Sequence, residues 1–307
     1  MSARISLSLS LSLCFASLCN AGCDDSLKDV SLIEETRVVG ARVESASDTT
    51  QGAPLPGERA SLRLFVVAPD AEPNFSYALS LCLVAPSSFG FPACARAPFA
   101  AAQQMEASVA DARLDFVVPE DTDLRATPHA LARGLICPNS SLNLAADGSQ
   151  SCGSGGGKEV GFEFPLGGAD EANRNPGFTD DAFLLDGEPW LPSTETSCDA
   201  TSARQVTAKS VHALRITLPD ADFELLSQPT SVDPGRETLL VSPFSSAGKL
   251  DHGFLSLSAD TPPEQRRVNW TAPALADRSP AWVRFYFVVR DPRSGEDFAS
   301  RAVCVVP

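Results

Sequence analysis

The sequence predicts an all-β protein made of two β-sandwich domains. The chain has 24 prolines and 20 glycines among its 307 residues, which favours frequent turns over long helices. Short apolar or alternating runs recur along it, with turn-forming clusters between them. A chain of this length suits one large or two medium domains. Together these features predict tandem sandwiches of short strands.

The first predicted domain covers residues 33–167. In one of its strands Leu62, Leu64 and Val66 alternate with the residues between them, which is the period of a half-buried strand. The alanine-rich stretch 97–111 is a candidate for a short helix instead. The predicted strands of this domain cover residues 36–44, 60–69, 77–86, 114–120, 129–137 and 160–166.

The second predicted domain covers residues 204–307. Its last two strands are joined by a short loop that contains Gly295, so a terminal hairpin is expected. Pro234-Gly235 precedes one strand as Pro56-Gly57 does in the first domain, which weakly indicates a duplicated fold. The predicted strands cover residues 210–219, 236–244, 266–273, 282–291 and 298–307.

The residues between the domains, 168–203, are interpreted as an acidic, proline-broken linker. Phe183, Leu184 and Trp190 would give this linker apolar packing contacts, and a disulfide at Cys198 would hold it in place. Its oxygen-bearing side chains at short intervals suit calcium, although their spacing does not match the twelve-residue calcium loop. A solvated linker with ordinary turn chemistry is the simpler interpretation. These side chains belong to Asp170, Asn173, Asn175, Asp180 and Asp181.

Residues 1–22 are interpreted as a signal peptide. Serine and leucine alternate over 6–13 as in a strand, but the segment is N-terminal, starts with Arg4 and is too short for a membrane span. Ala21-Gly22 before Cys23 resembles the bacterial lipobox, although Asn20 stands where that pattern usually has leucine. The lipobox implies diacylglycerol on Cys23 and a tether over residues 23–32. The alternative is an ordinary secreted protein cut near Ala21.

Lipid and charge indicate the class of partner. Two acyl chains anchor a protein stably, whereas one gives reversible attachment. The formal net charge of −15 disfavours nucleic acid, whose phosphates would repel the chain. The expected partners are therefore the membrane, through the anchor, and an envelope protein or polysaccharide.

Six cysteines remain after the leader and Cys23 are set aside. An even number in an exported chain predicts three disulfides, with some free buried thiols as the alternative. Sequence proximity favours the pairs Cys82–Cys94 and Cys137–Cys152, which leaves Cys198–Cys304.

The sequence contains no clear catalytic or cofactor motif. His129, His212 and His252 lie in separate segments, so a zinc site would need folding to collect them. The run Cys152–Glu159 is glycine-rich but lacks the phosphate-loop pattern, and a flexible hairpin loop is expected there. No G-x-S-x-G elbow occurs. Serine is plentiful in the chain, however, so a Ser-His-Asp set assembled by folding stays open. Carboxylate pairs such as Asp180-Asp181 are too common in an acidic chain to indicate a glycosidase.

Three asparagines match the glycosylation acceptor. They would matter only if the lipid-anchor interpretation were wrong and the source eukaryotic. They are Asn74, Asn139 and Asn269.

Several stretches carry a resemblance to a known group. They are LCLVAPSSFGFPAC, ANRNPGFTDDAFLLDGEPW, ETLLVSPFSSAGKLD and VRFYFVVRDPRSGEDFASRAVCVV. With them the chain resembles uncharacterised myxobacterial envelope lipoproteins. The resemblance implies tandem immunoglobulin-like sandwiches and no activity.

The sequence therefore predicts a lipid-anchored, non-catalytic binding or structural module without a cofactor. Its ligands would meet loops at a sandwich end or an exposed strand edge. A polysaccharide- or protein-binding accessory subunit is the first alternative, and exposed aromatics among Trp190, Trp270 and Trp282 would favour it. A secreted enzyme with an unrecognised site is the second.

Overall fold

A computed structural model of the protein describes residues 29–69, 73–85, 92–109, 111–154, 156–167, 173–193, 195–199, 203–225 and 235–307. Residues 31–307 belong to one compact unit. The described part contains 19 strands, two 3-10 helices and no α-helix, so the predicted all-β class is confirmed. None of its helical turns is long or apolar enough to cross a membrane.

The strands follow the chain in two groups. The first group is β1 (Arg37–Ser45), β2 (Arg59–Val67), β3 (Phe75–Leu83), β4 (Ala100–Val109), β5 (Ala112–Val117), β6 (His129–Pro138), β7 (Leu142–Leu144), β8 (Gln150–Cys152) and β9 (Lys158–Pro165). The second group is β10 (Phe183–Leu185), β11 (Glu188–Pro189), β12 (Gln205–Thr207), β13 (Val211–Ile216), β14 (Leu239–Ser245), β15 (Lys249–Leu250), β16 (Leu255–Leu257), β17 (Arg267–Thr271), β18 (Ala281–Arg290) and β19 (Glu296–Val306).

The first group forms a sandwich. A three-stranded sheet ordered β1-β2-β5 faces a four-stranded sheet ordered β4-β3-β6-β9. If the seven strands β1–β6 and β9 are lettered in chain order as in immunoglobulin domains, with β4 as C′, the two sheets are A-B-E and C′-C-F-G. This is an immunoglobulin-like arrangement in which the fourth strand pairs with C instead of E. Alternation places Ala112, Leu114 and Phe116 of β5 in the core between the sheets. The small β7-β8 hairpin lies outside this core.

The second group forms another sandwich, with sheets ordered β11-β10-β13-β17-β15 and β12-β19-β18-β14-β16. The predicted terminal hairpin is β18-β19, and β12 pairs with β19 in parallel. Trp270 and Phe285 are fully buried in this core, with ring centroids 4.8 Å apart. In both sandwiches the core is built from apolar residues that recur at every second position of the strands, which is the spacing seen in the sequence.

Strand β18 is buried on both faces. Phe285 and Phe287 enter the second core, whereas Tyr286 and Val288 pack with Val67 and other residues from the first group. The Tyr286 hydroxyl also donates a 2.6 Å hydrogen bond to the Ala68 carbonyl. This double burial explains why residues 285–289 of β18 form a continuous apolar run.

The suggested helix over 97–111 is wrong. The structure has the strand β4 there, paired with β3 from Ala100 opposite Leu81 onward. Alanine favours helix, but this stretch has no apolar stripe with which a helix would bury itself. Pairing along β3 satisfies one side of its backbone instead, and tertiary context overrides local propensity.

Candidate functional site

The described part of the chain has a cleft of about 800 Å³ in the first sandwich. It lies between β4 and β5, which belong to opposite sheets, and residues of β1, β2 and the loop after β1 also line it. β4 is the edge of one sheet and β5 the edge of the other. The lining includes Ala100 and Ala101 at the start of β4 and Phe116 and Val117 at the end of β5, so the cleft is at the strand ends farthest from the β4-β5 connection. Its volume is within the range of ligand pockets.

The cleft has an apolar floor and a charged rim. Phe99 and Phe116 face each other with ring centroids 6.1 Å apart. On the rim Arg113 Nε lies 2.8 Å from Asp115 Oδ1, and both side chains are exposed. The hydrogen bond that Arg113 donates to Asp115 raises the pKa of Arg113. Apolar contacts and both signs of charge are therefore available to a ligand.

The first residues of the β4 wall have little protection against strand pairing, because the register shift in the β3-β4 pairing lies farther along, between Gln104 and Val109. Natural edge strands are usually guarded by lysine, proline, bulges or a covering element. β4 starts with Ala100, Ala101 and Ala102, and it contains no lysine or proline. Methyl side chains leave the backbone accessible to an approaching chain.

The β5 wall presents main-chain groups to the same cleft. Val118 N–H donates to the Glu58 carbonyl at 3.0 Å, and hydrogen-bonded pairs alternate along an antiparallel ladder. The N–H and C=O groups of Asp115 and Val117 therefore point away from β2. At the closed end, the Tyr77 hydroxyl donates to the Arg113 carbonyl at 3.2 Å. Only the Asp115–Val117 end is left open.

A disulfide holds the entrance of β4. Cys82 of β3 is bonded to Cys94, and the chain between Cys94 and β4 runs beside β3. Ala95 and Phe99 donate their N–H groups to β3 carbonyls at 2.8 Å. The alanine-rich wall is thereby fixed at its start.

All three predicted disulfide pairs are present in the structure. Their Cα atoms are 5.5 Å apart in Cys82–Cys94 and 5.4 Å apart in Cys137–Cys152. The distance is 5.3 Å in Cys198–Cys304, which joins the segment before β12 to β19. The lipidation residue Cys23 lies outside the described residues, and its modification stays a prediction.

The suggested calcium ligands do not converge. Asn173 and Asn175 are buried, whereas Asp180 and Asp181 are exposed. Asp170 is outside the described residues. The Asn175 amide donates to the Val43 carbonyl at 2.7 Å and accepts from Glu296 N–H at 3.1 Å. This part of the linker is therefore packed rather than solvated, and it bridges the two sandwiches.

The histidines stay apart. His129 Nδ1 lies 3.2 Å from Glu163, and His212 Nδ1 lies 2.7 Å from Asp186; His252 is exposed. Within the described residues no three His, Cys, Asp or Glu side chains form a metal-binding group.

Other sequence features also have clear places. The glycine-rich run after Cys152 connects β8 to β9, which do not pair, so the expected hairpin loop is wrong. Trp190 and Trp270 are core residues, and Trp282 is half-buried.

The glycosylation candidates differ in exposure. Asn74 and Asn139 are exposed, whereas Asn269 is half-buried in β17. The side chain of Asn269 bonds Asp251 at 2.7 Å. Its amide is therefore engaged within the second sandwich.

Sequence reasoning missed a cluster of buried charged groups near the β18-β19 turn. Burial raises the pKa of Asp291 to about 6. It also raises the pKa of Glu237, opposed by the hydrogen bond from Arg293. Buried side-chain oxygens of Asn173, Glu237 and Asp291 have no hydrogen-bond partner among the described residues. A carboxylate at a turn gives no sequence signal that distinguishes it from a surface residue.

Comparison with known proteins adds no family. No protein-family model matches the chain, and no curated protein does. Among solved structures it is similar to a nucleoside hydrolase-related hypothetical protein from Saccharophagus degradans, with 14% identity and a TM-score of 0.25 over 45% of this chain and 27% of that one. The D00-D0 domain of intimin matches at 7% identity and TM-score 0.20, over 87% of this chain and 100% of that one. Cadherin domains 1–4 of protocadherin gamma B7 match at 11% identity and TM-score 0.21, covering 87% and 50%. No activity or ligand is transferred from these likenesses.

Proposed function

We propose that the protein is a lipid-anchored module of the bacterial cell envelope that binds an extended polypeptide segment in the cleft between β4 and β5. The role of the cleft is binding, without catalysis. The proposal rests on one observation, which is that two sheet edges with accessible backbone flank one pocket. An added strand would obtain its affinity from main-chain hydrogen bonds and its specificity from side-chain pockets.

The composition of the cleft favours a peptide over a polysaccharide. Two of the three tryptophans that a sugar-binding surface would use, Trp190 and Trp270, are in the second core. In the cleft, the outward main-chain groups of Asp115 and Val117 suit a β-ladder. Phe99 and Phe116 offer a site for an apolar side chain of the added strand.

The envelope location is supported by the oxidised cysteines. Three disulfides are typical of a compartment outside the cytoplasm. The lipobox-like Cys23 supplies the tether in this proposal, so the binding body would remain close to a membrane surface.

The test uses the mature chain and displayed random twelve-residue peptides. Selected peptides should bind the parent chain and lose at least about tenfold in affinity on Ala101→Tyr, which fills the cleft. Ala107→Tyr is the matched control, because Ala107 is on the same strand but does not line the cleft. A tenfold loss corresponds to about 1.4 kcal/mol.

A second variant separates strand addition from simple pocket filling. Val117→Pro removes an N–H that points away from β2, so the β2-β5 ladder keeps its hydrogen bonds. Peptide affinity should fall with thermal stability nearly unchanged. Peptides that bind both variants as well as the parent would refute the site, and so would binding confined to polysaccharide probes.

A further inference from the structure

A hydrogen-bonded chain of Ser210, His212 and Asp186 lies in the second sandwich. Ser210 Oγ is 2.5 Å from His212 Nε2, and His212 Nδ1 is 2.7 Å from Asp186 Oδ2. None of these residues lines the cleft. The order hydroxyl, imidazole and carboxylate is that of a nucleophile, its base and the group that orients the base.

The fold holds each member in place. Ser210 and His212 are two residues apart at the start of β13, so both side chains leave the same face. Asp186 has φ +55° in the β10-β11 turn, where Asp tolerates the left-handed region. Its Oδ1 accepts the Ala213 N–H at 2.9 Å. The second carboxylate oxygen therefore stays directed at the imidazole, which also packs against Trp270 with centroids 5.9 Å apart.

We propose that Ser210 is an activated nucleophile that takes the acyl group of a small ester. Ser210 Oγ forms a bond to the carbonyl carbon while its proton moves to His212 Nε2. Asp186 stabilises the resulting imidazolium through the Nδ1–H bond. The carbon–oxygen bond to the leaving alcohol then breaks, and Nε2 returns the proton to that alcohol. Water releases the acid in a second round of the same transfers, so no other reactant is needed.

The environment limits the substrate. Ser210 and His212 are partly accessible, and Asp186 is 43% exposed, so an unhindered acyl group can reach the hydroxyl without a deep pocket. The next main-chain donor is Val211 N–H. Ile216 N–H donates to the Arg266 carbonyl on the β17 side, so alternation along β13 directs the Val211 N–H to the β10 side. There the strand pairing ends at Leu185 opposite Leu214. The Val211 N–H is the group available to a developing oxyanion.

A second acceptor competes with His212 for the proton of the Ser210 hydroxyl. The Ser210 hydroxyl also contacts the Thr207 carbonyl. Its single proton goes either to Thr207, which makes a local turn, or to His212, which makes a nucleophile. Only the second arrangement gives chemical reactivity.

The experiment treats the mature chain with a biotinylated fluorophosphonate and locates the adduct by mass spectrometry. Ser210 should be labelled. Ser210→Ala should abolish the adduct, His212→Gln should slow labelling at least about 100-fold, and Asp186→Asn should slow it less. Ser258→Ala is the matched control, because Ser258 Oγ faces Thr261 Oγ1 at 3.0 Å with no base. p-Nitrophenyl acetate should give a burst of nitrophenolate with the parent chain.

Near-ultraviolet circular dichroism shows whether each variant is folded. Folded parent chain with no adduct at Ser210, or labelling that His212→Gln does not change, overturns the proposal. If His212→Gln lowers thermal stability while the parent remains unlabelled, the chain of hydrogen bonds is structural and the proposal is also overturned. None of these outcomes depends on peptide binding in the cleft.

Discussion

Glu296 in the last strand accepts a 2.8 Å hydrogen bond from the main-chain N–H of Ala41 in the first strand. Its other oxygen lies 2.5 Å from Arg290 Nε, and Arg290 donates to the Val39 carbonyl at 2.6 Å. Burial raises the pKa of Glu296, and the Arg290 charge opposes that rise. One carboxylate therefore joins the two sandwiches through residues far apart in the chain.

Replacement of Glu296 by Ala should weaken this junction. The variant leaves the Ala41 N–H buried without an acceptor and removes the acidic partner of the half-buried Arg290. We expect a loss of about 2–3 kcal/mol in the free energy of unfolding. Urea unfolding measures it, with exposed Glu264→Ala as a control expected within about 0.5 kcal/mol. Equal losses in the two variants would contradict the junction.

Stability should depend on the protonation of Asp291. Burial raises its pKa from 3.8 to about 6, in the company of Glu237 and Arg293. The folded state therefore binds this proton more tightly than the unfolded state does. The resulting stabilisation of the folded state increases as pH falls through 6 and is complete below about 3.8. Relative to the parent, Asp291→Asn should lose about 2 kcal/mol between pH 7 and pH 4.5. Urea midpoints at both pH values test this, and Asp260→Asn, on the surface, should show no such change.

Gly248 should tolerate no side chain. It has φ +84°, and a Cβ there would lie 2.3 Å from Trp270 Nε1 and 2.5 Å from the Thr271 carbonyl. Gly148 has φ +83° with open space around it. An alanine there would meet only the conformational penalty of a positive φ and no steric contact. Gly248→Ala should destabilise by at least about 2 kcal/mol more than Gly148→Ala. Thermal unfolding followed by tryptophan fluorescence compares them; indistinguishable midpoints would contradict the contact.

The three disulfides should differ in their contribution to stability. Cys198–Cys304 spans 106 residues of sequence and Cys82–Cys94 spans 12. In the loop-entropy model the long closure contributes about 4.7 kcal/mol and a short one about 3 kcal/mol. Double alanine replacement of Cys198 and Cys304 should therefore cost more in urea unfolding than replacement of the short pair. A larger loss from the short pair would count against the entropic account.

Membrane attachment should depend on Cys23. Two acyl chains provide stable anchoring, at about 0.8 kcal/mol for each buried methylene. Cys23→Ser should move the protein from the membrane fraction to the supernatant, while Cys19→Ser should leave it attached. Cell fractionation with immunoblotting is the measurement. Membrane partitioning that persists in Cys23→Ser would refute the anchor.

The strands were predictable because their signal is local. Leu62 and Leu64 alternate with the less buried Arg63 and Phe65, and a period of two needs no knowledge of distant residues. The nearest-neighbour disulfides were predictable for a similar reason, since short loops close easily. Strand β4 could not be predicted in this way, because its alanines favour a helix. It forms a strand because it pairs with β3.

The sequence by itself determined the all-β class, and sequence proximity favoured the cysteine pairs that the structure contains. The second sandwich was expected to start at residue 204, but its sheet includes β10 and β11 from the predicted linker. Tertiary structure decided which polar side chains meet. Asn175 and Glu296 bridge the sandwiches, and Ser210 and His212 meet Asp186 from another turn. Such contacts depend on sheet order and on the packing of one sandwich against the other. Both are set by the burial of apolar faces over the whole molecule, which no local pattern encodes.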